Sequence, residues 1–145
     1  MTSLNRYVPY VLAVSALFCV IELGLTAYIV SPWGAPSSME FMLFNSVWTL
    51  LVLAYIGLVP MYVSRYYHRQ AGLALKWITT IFWFAGSIAL AAFWGAPRCY
   101  GNNYCNTVEA ACAFGFFLWL LFSFITFVDT VDYLRGAKAQ PAAAV

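Results

Sequence analysis

Four apolar runs, Pro9 to Val30, Phe41 to Val63, Leu73 to Trp94 and Val108 to Val128, take up most of this chain. Each reaches the roughly 20 residues that a helix needs to cross the hydrocarbon of a bilayer. Inside hydrocarbon every backbone amide must find its partner within the protein, and a helix does so within one segment. A membrane barrel would instead show short strands of alternating hydropathy, and a stretch such as Trp48 to Leu58 does not alternate. The expectation is an all-α polytopic membrane protein. Its four transmembrane helices, at about 9–30, 41–63, 73–94 and 108–128, form an up-down bundle with short loops. Only 8% of the residues are charged, against about a quarter in a soluble domain, too few to cover a surface in water.

The placement of charge predicts the topology. Arg6, Arg65, Arg69, Lys76, Arg135 and Lys138, six of the 7 Lys and Arg, fall on one side of such a bundle, and Arg98 alone on the other. The positive-inside rule then puts both termini and the middle loop in the cytoplasm. The basic residues are too few and too scattered for nucleic acid. Arg65, Arg69 and Lys76 lie at the level of the inner head groups, where a basic residue near an anionic surface contributes about 1 kcal/mol. Lys76 is expected to snorkel there. The rival reading of the first run is a cleaved signal peptide; the run is long for one, and Glu22 interrupts its far end. Residues 1–135 read as one membrane domain and 136–145, small and Ala-rich, as a disordered cytoplasmic tail. Trp-Gly-Ala-Pro occurs at Trp33 to Pro36 and at Trp94 to Pro97, read as shared helix-stop chemistry rather than a duplicated hairpin.

Cys99 and Cys105 share the second outer loop, which faces an oxidising space in this topology. A small disulfide staple is expected there, with Gly101, Asn102 and Asn103 supplying the turn. An exchangeable redox pair is the alternative. Cys19 and Cys112 fall inside spans one and four and read as small packing residues. No metal ligand set appears, since the single His68 lies on the opposite side from the outer cysteines.

Glu22 is the sharpest single residue. A carboxylate within hydrocarbon costs several kcal/mol, on the order of 3 or more, unless it is protonated, paired or hydrated. Its candidate partners by depth are Asn45 and Thr49 on span two and Ser87 on span three, with no Lys or Arg in that slab. The expectation is a neutral, hydrogen-bonded acid that locks helices together, with a proton or cation site as the other reading. Glu109 fits the helix N-terminal preference for negative charge. Asp129 and Asp132 are expected to pair with Arg135, or with Arg65 or Arg69 across the loop, with a bound cation as the other reading. Small residues for close helix approach are Ala85, Gly86, Ala89 and Ala92 on span three, Ala111 and Gly115 on span four, and Gly24 on span one. Trp48, Trp83 and Trp119 are expected to fill the bundle rather than face lipid. No catalytic constellation and no cofactor motif appears.

Phe44-Asn45-Ser46-Val47-Trp48-Thr49-Leu50-Leu51 resembles the start of the second helix in fungal MARVEL-domain proteins. Leu75 to Gly86 is similar to their third helix: a threonine, an aromatic pair, then Ala-Gly. The outer loop with Cys99 and Cys105 matches, as do Ala113-Phe114-Gly115 and Trp119-Leu120 in span four. The resemblance covers nearly the whole chain; the middle loop and tails are left out of it. It implies an M-shaped four-helix module with cytoplasmic termini and no catalytic residues. It also implies an association with sterol-rich membrane domains, plasma-membrane furrows, non-classical export and vesicle traffic.

The leading reading is therefore a non-enzymatic membrane organiser, without cofactor, that self-associates and contacts membrane lipids, sterol among them by resemblance. Its place is the plasma membrane, again by resemblance. The alternative is a small proton-coupled transporter centred on Glu22. A membrane redox protein using Cys99 and Cys105 is a third reading.

Overall fold

A computed structural model describes residues 6–30, 37–66, 68–95 and 98–139. Four helices carry the fold: α1 (Val8–Val30), α2 (Ser37–Tyr62), α3 (Arg69–Trp94) and α4 (Asn103–Ala139). A short 3-10 turn, Ser64–Tyr66, links α2 to α3. Each helix packs against its neighbours in sequence, and α4 closes the ring against α1. All four are long and apolar enough to cross a membrane.

The buried faces explain why this bundle suits lipid rather than water. The inward stripe of α1 is Ser15, Cys19, Glu22, Thr26 and Ile29, recurring every three or four residues as one helix face does. Between these, Val14, Leu17 and Val20 point outward. On α2 and α3 the buried positions include Asn45, Ser46, Thr49, Thr79, Thr80 and Ser87. Small polar groups thus face inward among buried apolar residues such as Trp83, Leu90, Leu118 and Phe122, and large apolar side chains also cover the outside, where a soluble bundle would be polar. With lipid as solvent, helices associate through close packing and interhelical hydrogen bonds. Most buried hydroxyls are satisfied locally, by the carbonyl four residues back: Thr26 to Glu22 at 2.8 Å, Ser46 to Met42 at 3.0 Å, Thr80 to Lys76 at 2.8 Å. Such back-bonding is how Ser and Thr live inside helices.

Polar bonds also join the seams. The Trp83 indole N–H donates to Thr49 Oγ1 at 2.8 Å, and the Trp48 indole N–H to Thr79 Oγ1 at 3.1 Å, tying α2 to α3. The hydroxyls of Thr80 and Thr126 meet at 3.0 Å between α3 and α4. Phe18 on α1 packs edge-on against Phe114 on α4, centroids 5.2 Å apart. Of the three span tryptophans, only Trp83 is fully buried; Trp48 and Trp119 are half-buried. The expectation that all three fill the bundle holds in full for Trp83; Trp48 and Trp119 pack against the core with part of each ring left outward.

The helices run past the expected boundaries. Ser37 opens α2 and Arg69 opens α3, so the connection between α2 and α3 shrinks to a few residues. At the other end of the bundle α4 begins at Asn103, five residues before the apolar run. The cause is local: Asn102 Oδ1 accepts the backbone N–H of Tyr104 at 3.0 Å, a side-chain N-cap. Glu109 consequently lies beyond the first turn, where it misses the helix N-terminal charge, a correction to its expected role. At its far end α4 continues through Ala139, so the first residues of the supposed tail, from Gly136, are helical. The rest of that tail lies outside the described residues, as does the first Trp-Gly-Ala-Pro copy. In the second copy Trp94 ends α3 and Gly95, at φ 63°, returns its N–H to Ala91 O at 2.7 Å. A positive φ there is a backbone conformation that glycine adopts without a Cβ penalty.

Candidate functional site

Cys99 and Cys105 form a disulfide, with Cα atoms 5.4 Å apart. Within its ring, Tyr100 at φ 46° and Gly101 at φ 82° are both left-handed, and Asn102 N–H closes onto Cys99 O at 2.8 Å. Two successive positive φ values make a primed turn, easy for Gly101 and rarer for Tyr100. The staple therefore pins the α3–α4 connection to the first turn of α4. A carboxylate oxygen of Glu109 and the two sulfurs lie within 4.8 Å of one another. Sulfurs bonded to each other offer no thiolate to a metal, so this is not a ligand set.

A polar slab crosses the bundle some eight residues in from the disulfide end. Glu22, Asn45 and Ser87 are each fully buried there, on α1, α2 and α3. Neither Glu22 carboxyl oxygen, nor Asn45 Oδ1, nor Ser87 Oγ has a hydrogen-bond partner among the described residues. Two of the partners foreseen for Glu22 are engaged elsewhere: Asn45 Nδ2 donates to Phe82 O at 3.0 Å, and Thr49 receives the Trp83 indole; the third, Ser87, is buried but makes no hydrogen bond to the carboxyl. The Glu22 carboxyl is instead close enough to the Cys19 and Cys112 thiols to act electrostatically on both. The Cys19 thiol itself donates to Ser46 O at 3.1 Å. The sequence placed these groups at one depth. It could not show that a helical carbonyl and an indole would take their hydrogen-bonding capacity first.

The slab is tightly closed. A Cβ built on Gly86 would stand 2.8 Å from Met42 Sδ and 2.9 Å from Asn45 Nδ2; one on Gly115 would stand 2.7 Å from Ser87 Oγ and 2.8 Å from Met42 Cε. At these two glycines α2, α3 and α4 approach closely, and an added side chain would have to displace Met42, Asn45 or Ser87. Gly24, by contrast, would meet nothing within 4 Å, a correction to its expected role at a close contact: it faces outward.

At the other end of the bundle the three expected head-group contacts part company. Arg65 and Arg69 are exposed. Lys76 is 7% exposed and forms an ion pair with Asp129 on α4. This corrects both the snorkelling expected of Lys76 and the partners expected for Asp129. The physical reason is register: with α3 starting at Arg69, Lys76 lies two turns in and faces α4, where a carboxylate is nearer than the head groups. Arg69 stacks on Tyr133, 5.6 Å from the ring centroid, and Gln70 Nε2 donates to Tyr133 Oη at 2.9 Å.

Fold and site together define a multi-pass membrane protein, a four-helix module with its polar chemistry turned inward and a disulfide at one end. The sequence pattern of MARVEL, a membrane-associating domain, matches residues 9–128. The chain belongs to the MARVEL family. No curated protein and no solved structure matches it.

Proposed function

We propose that this protein is a non-enzymatic organiser of lipid domains, sterol-rich ones above all, in a plasma membrane or along vesicle traffic, and that it acts by self-association and lipid contact. Its termini face the cytoplasm, on the strength of the basic residues gathered at that end. The observation that carries the reading is the outward-facing apolar surface: Leu17, Leu51, Ile81 and Phe127 are all more than half exposed, while the polar groups are spent on holding the bundle together. A groove of about 570 Å³ between α3 and α4, lined by Trp77, Thr80, Trp119, Ser123, Thr126 and Phe127 among others, is of the size that takes one small ligand, and supports lipid contact. A fluorescent fusion imaged in a yeast plasma membrane tests the proposal. Stable patches that disperse on sterol depletion are expected; a uniform signal indifferent to sterol would sink it.

One observation favours a second reading, a small proton-coupled transporter: Glu22 is buried with both carboxyl oxygens unpartnered, and an intramembrane acid of this kind is a functional hypothesis by default. Glu22→Gln separates the two. For an organiser, patch formation and folded yield are unchanged, because the amide has the same shape and loses no hydrogen bond. For a transporter, proton-driven uptake into liposomes is abolished while the fold survives.

A further inference from the structure

The ends of α3 and α4 that meet the α2–α3 connection enclose a second cleft, of about 190 Å³, lined by Arg69, Leu73, Lys76, Asp129 and Tyr133. Its charge does not balance. Asp129 is taken by the Lys76 ammonium, and Arg69 has no carboxylate partner among the described residues. Arg69 is nevertheless close enough to act electrostatically on Lys76. Two cations around one carboxylate leave an excess positive charge, with Lys76 buried at the floor of the cleft and Arg69 exposed at its mouth, where an anion can reach it. Asp132, one turn from Asp129, is not part of the wall. The donors are also in place: the guanidinium fork of Arg69 and the Tyr133 hydroxyl, whose oxygen already accepts from Gln70 and whose proton remains to be given. An arginine fork beside a hydroxyl donor suits the oxygens of a phosphate. Arg69 is the first residue of α3, at the membrane boundary, and Lys76 lies about 10 Å deeper at 1.5 Å per residue.

We propose that this cleft binds the phosphate of an anionic phospholipid, gripped by Arg69 and Tyr133 above the Lys76–Asp129 pair. The inference deepens the organiser reading by giving its lipid contacts one charged head-group site. Thermal unfolding of the full chain in neutral detergent tests it, with phosphatidic acid or phosphatidylcholine added at equal mole fraction, and separately with inorganic phosphate. Phosphatidic acid is expected to raise the midpoint by several degrees over phosphatidylcholine. Arg69→Gln is expected to erase that difference, and Arg65→Gln, at the same end but outside the cleft, to keep it. Equal midpoints in the two lipids would overturn the proposal. So would a shift that inorganic phosphate reproduces alone, or one that Arg65→Gln removes as fully as Arg69→Gln. This readout involves neither sterol nor patches, so its failure and that of the organiser reading are told apart.

Discussion

Asp129→Ala is expected to destabilise the bundle by about 3 kcal/mol, the lower end of the range for a buried ion pair that loses one partner. The effect comes less from the lost attraction than from what is left behind. Lys76 is 7% exposed, and without Asp129 its ammonium must either shed its proton or drag the seam open toward water. The figure sits at the lower end because the Asp129 side chain keeps 28% of its exposure, so solvent already screens part of the pair. Replacing both partners with apolar residues of similar length, Lys76→Met with Asp129→Leu, is expected to recover most of the loss, since no charge then remains in the seam. Denaturant unfolding in mixed micelles of the two single variants and the double gives the coupling directly. A single variant no less stable than the double would show that the pair is solvated and that the argument is wrong.

Gly115→Leu is expected to cost about 1–3 kcal/mol by overpacking, and Gly86→Leu about the same. At Gly115 even the first added carbon lands 2.7 Å from Ser87 Oγ and 2.8 Å from Met42 Cε. A methionine end can swing aside, and a hydroxyl can rotate, so Gly115→Ala is expected to be mild. Leucine needs room for three more carbons between α3 and α4, and those helices must part to give it. Gly24→Leu is the control: it meets nothing within 4 Å and adds apolar surface toward lipid, so its thermal midpoint is expected to stay near that of the parent. Equal losses at Gly24 and Gly115 would mean that the close contacts at Gly115 are not the cause, since helix propensity alone favours leucine over glycine at both.

The span count and the disulfide could be read directly from residues, because each rests on something the sequence states outright: runs long enough to cross hydrocarbon, and two cysteines beside a Gly-Asn turn. Helix ends were less accessible. Apolar runs mark where lipid is, whereas Asn102 and Gly95 mark where helices begin and stop, and the two need not coincide. Partner choice was hardest. Depth alone set Glu22 beside Asn45, Thr49 and Ser87, yet the rotation of each helix sent Asn45 to a backbone carbonyl and Thr49 to an indole. In the same way Lys76 looked like a residue reaching for head groups until the register of α3 turned it toward Asp129. Rotation about a helix axis is weakly encoded here, because the buried stripes of α1 and α2 mix small polar with apolar residues while their outer faces are apolar too, so they lack the two-faced pattern that orients a helix in water.

The apolar outer surface of the bundle, with Leu17, Leu51 and Phe127 exposed on it, has a logistical consequence. Such a surface has no stable state in the cytosol, so the protein cannot detach, diffuse and rebind as a peripheral factor does. It changes compartment only when the bilayer itself moves, by budding and fusion. Its abundance at any one membrane is then a record of the carriers that brought it there.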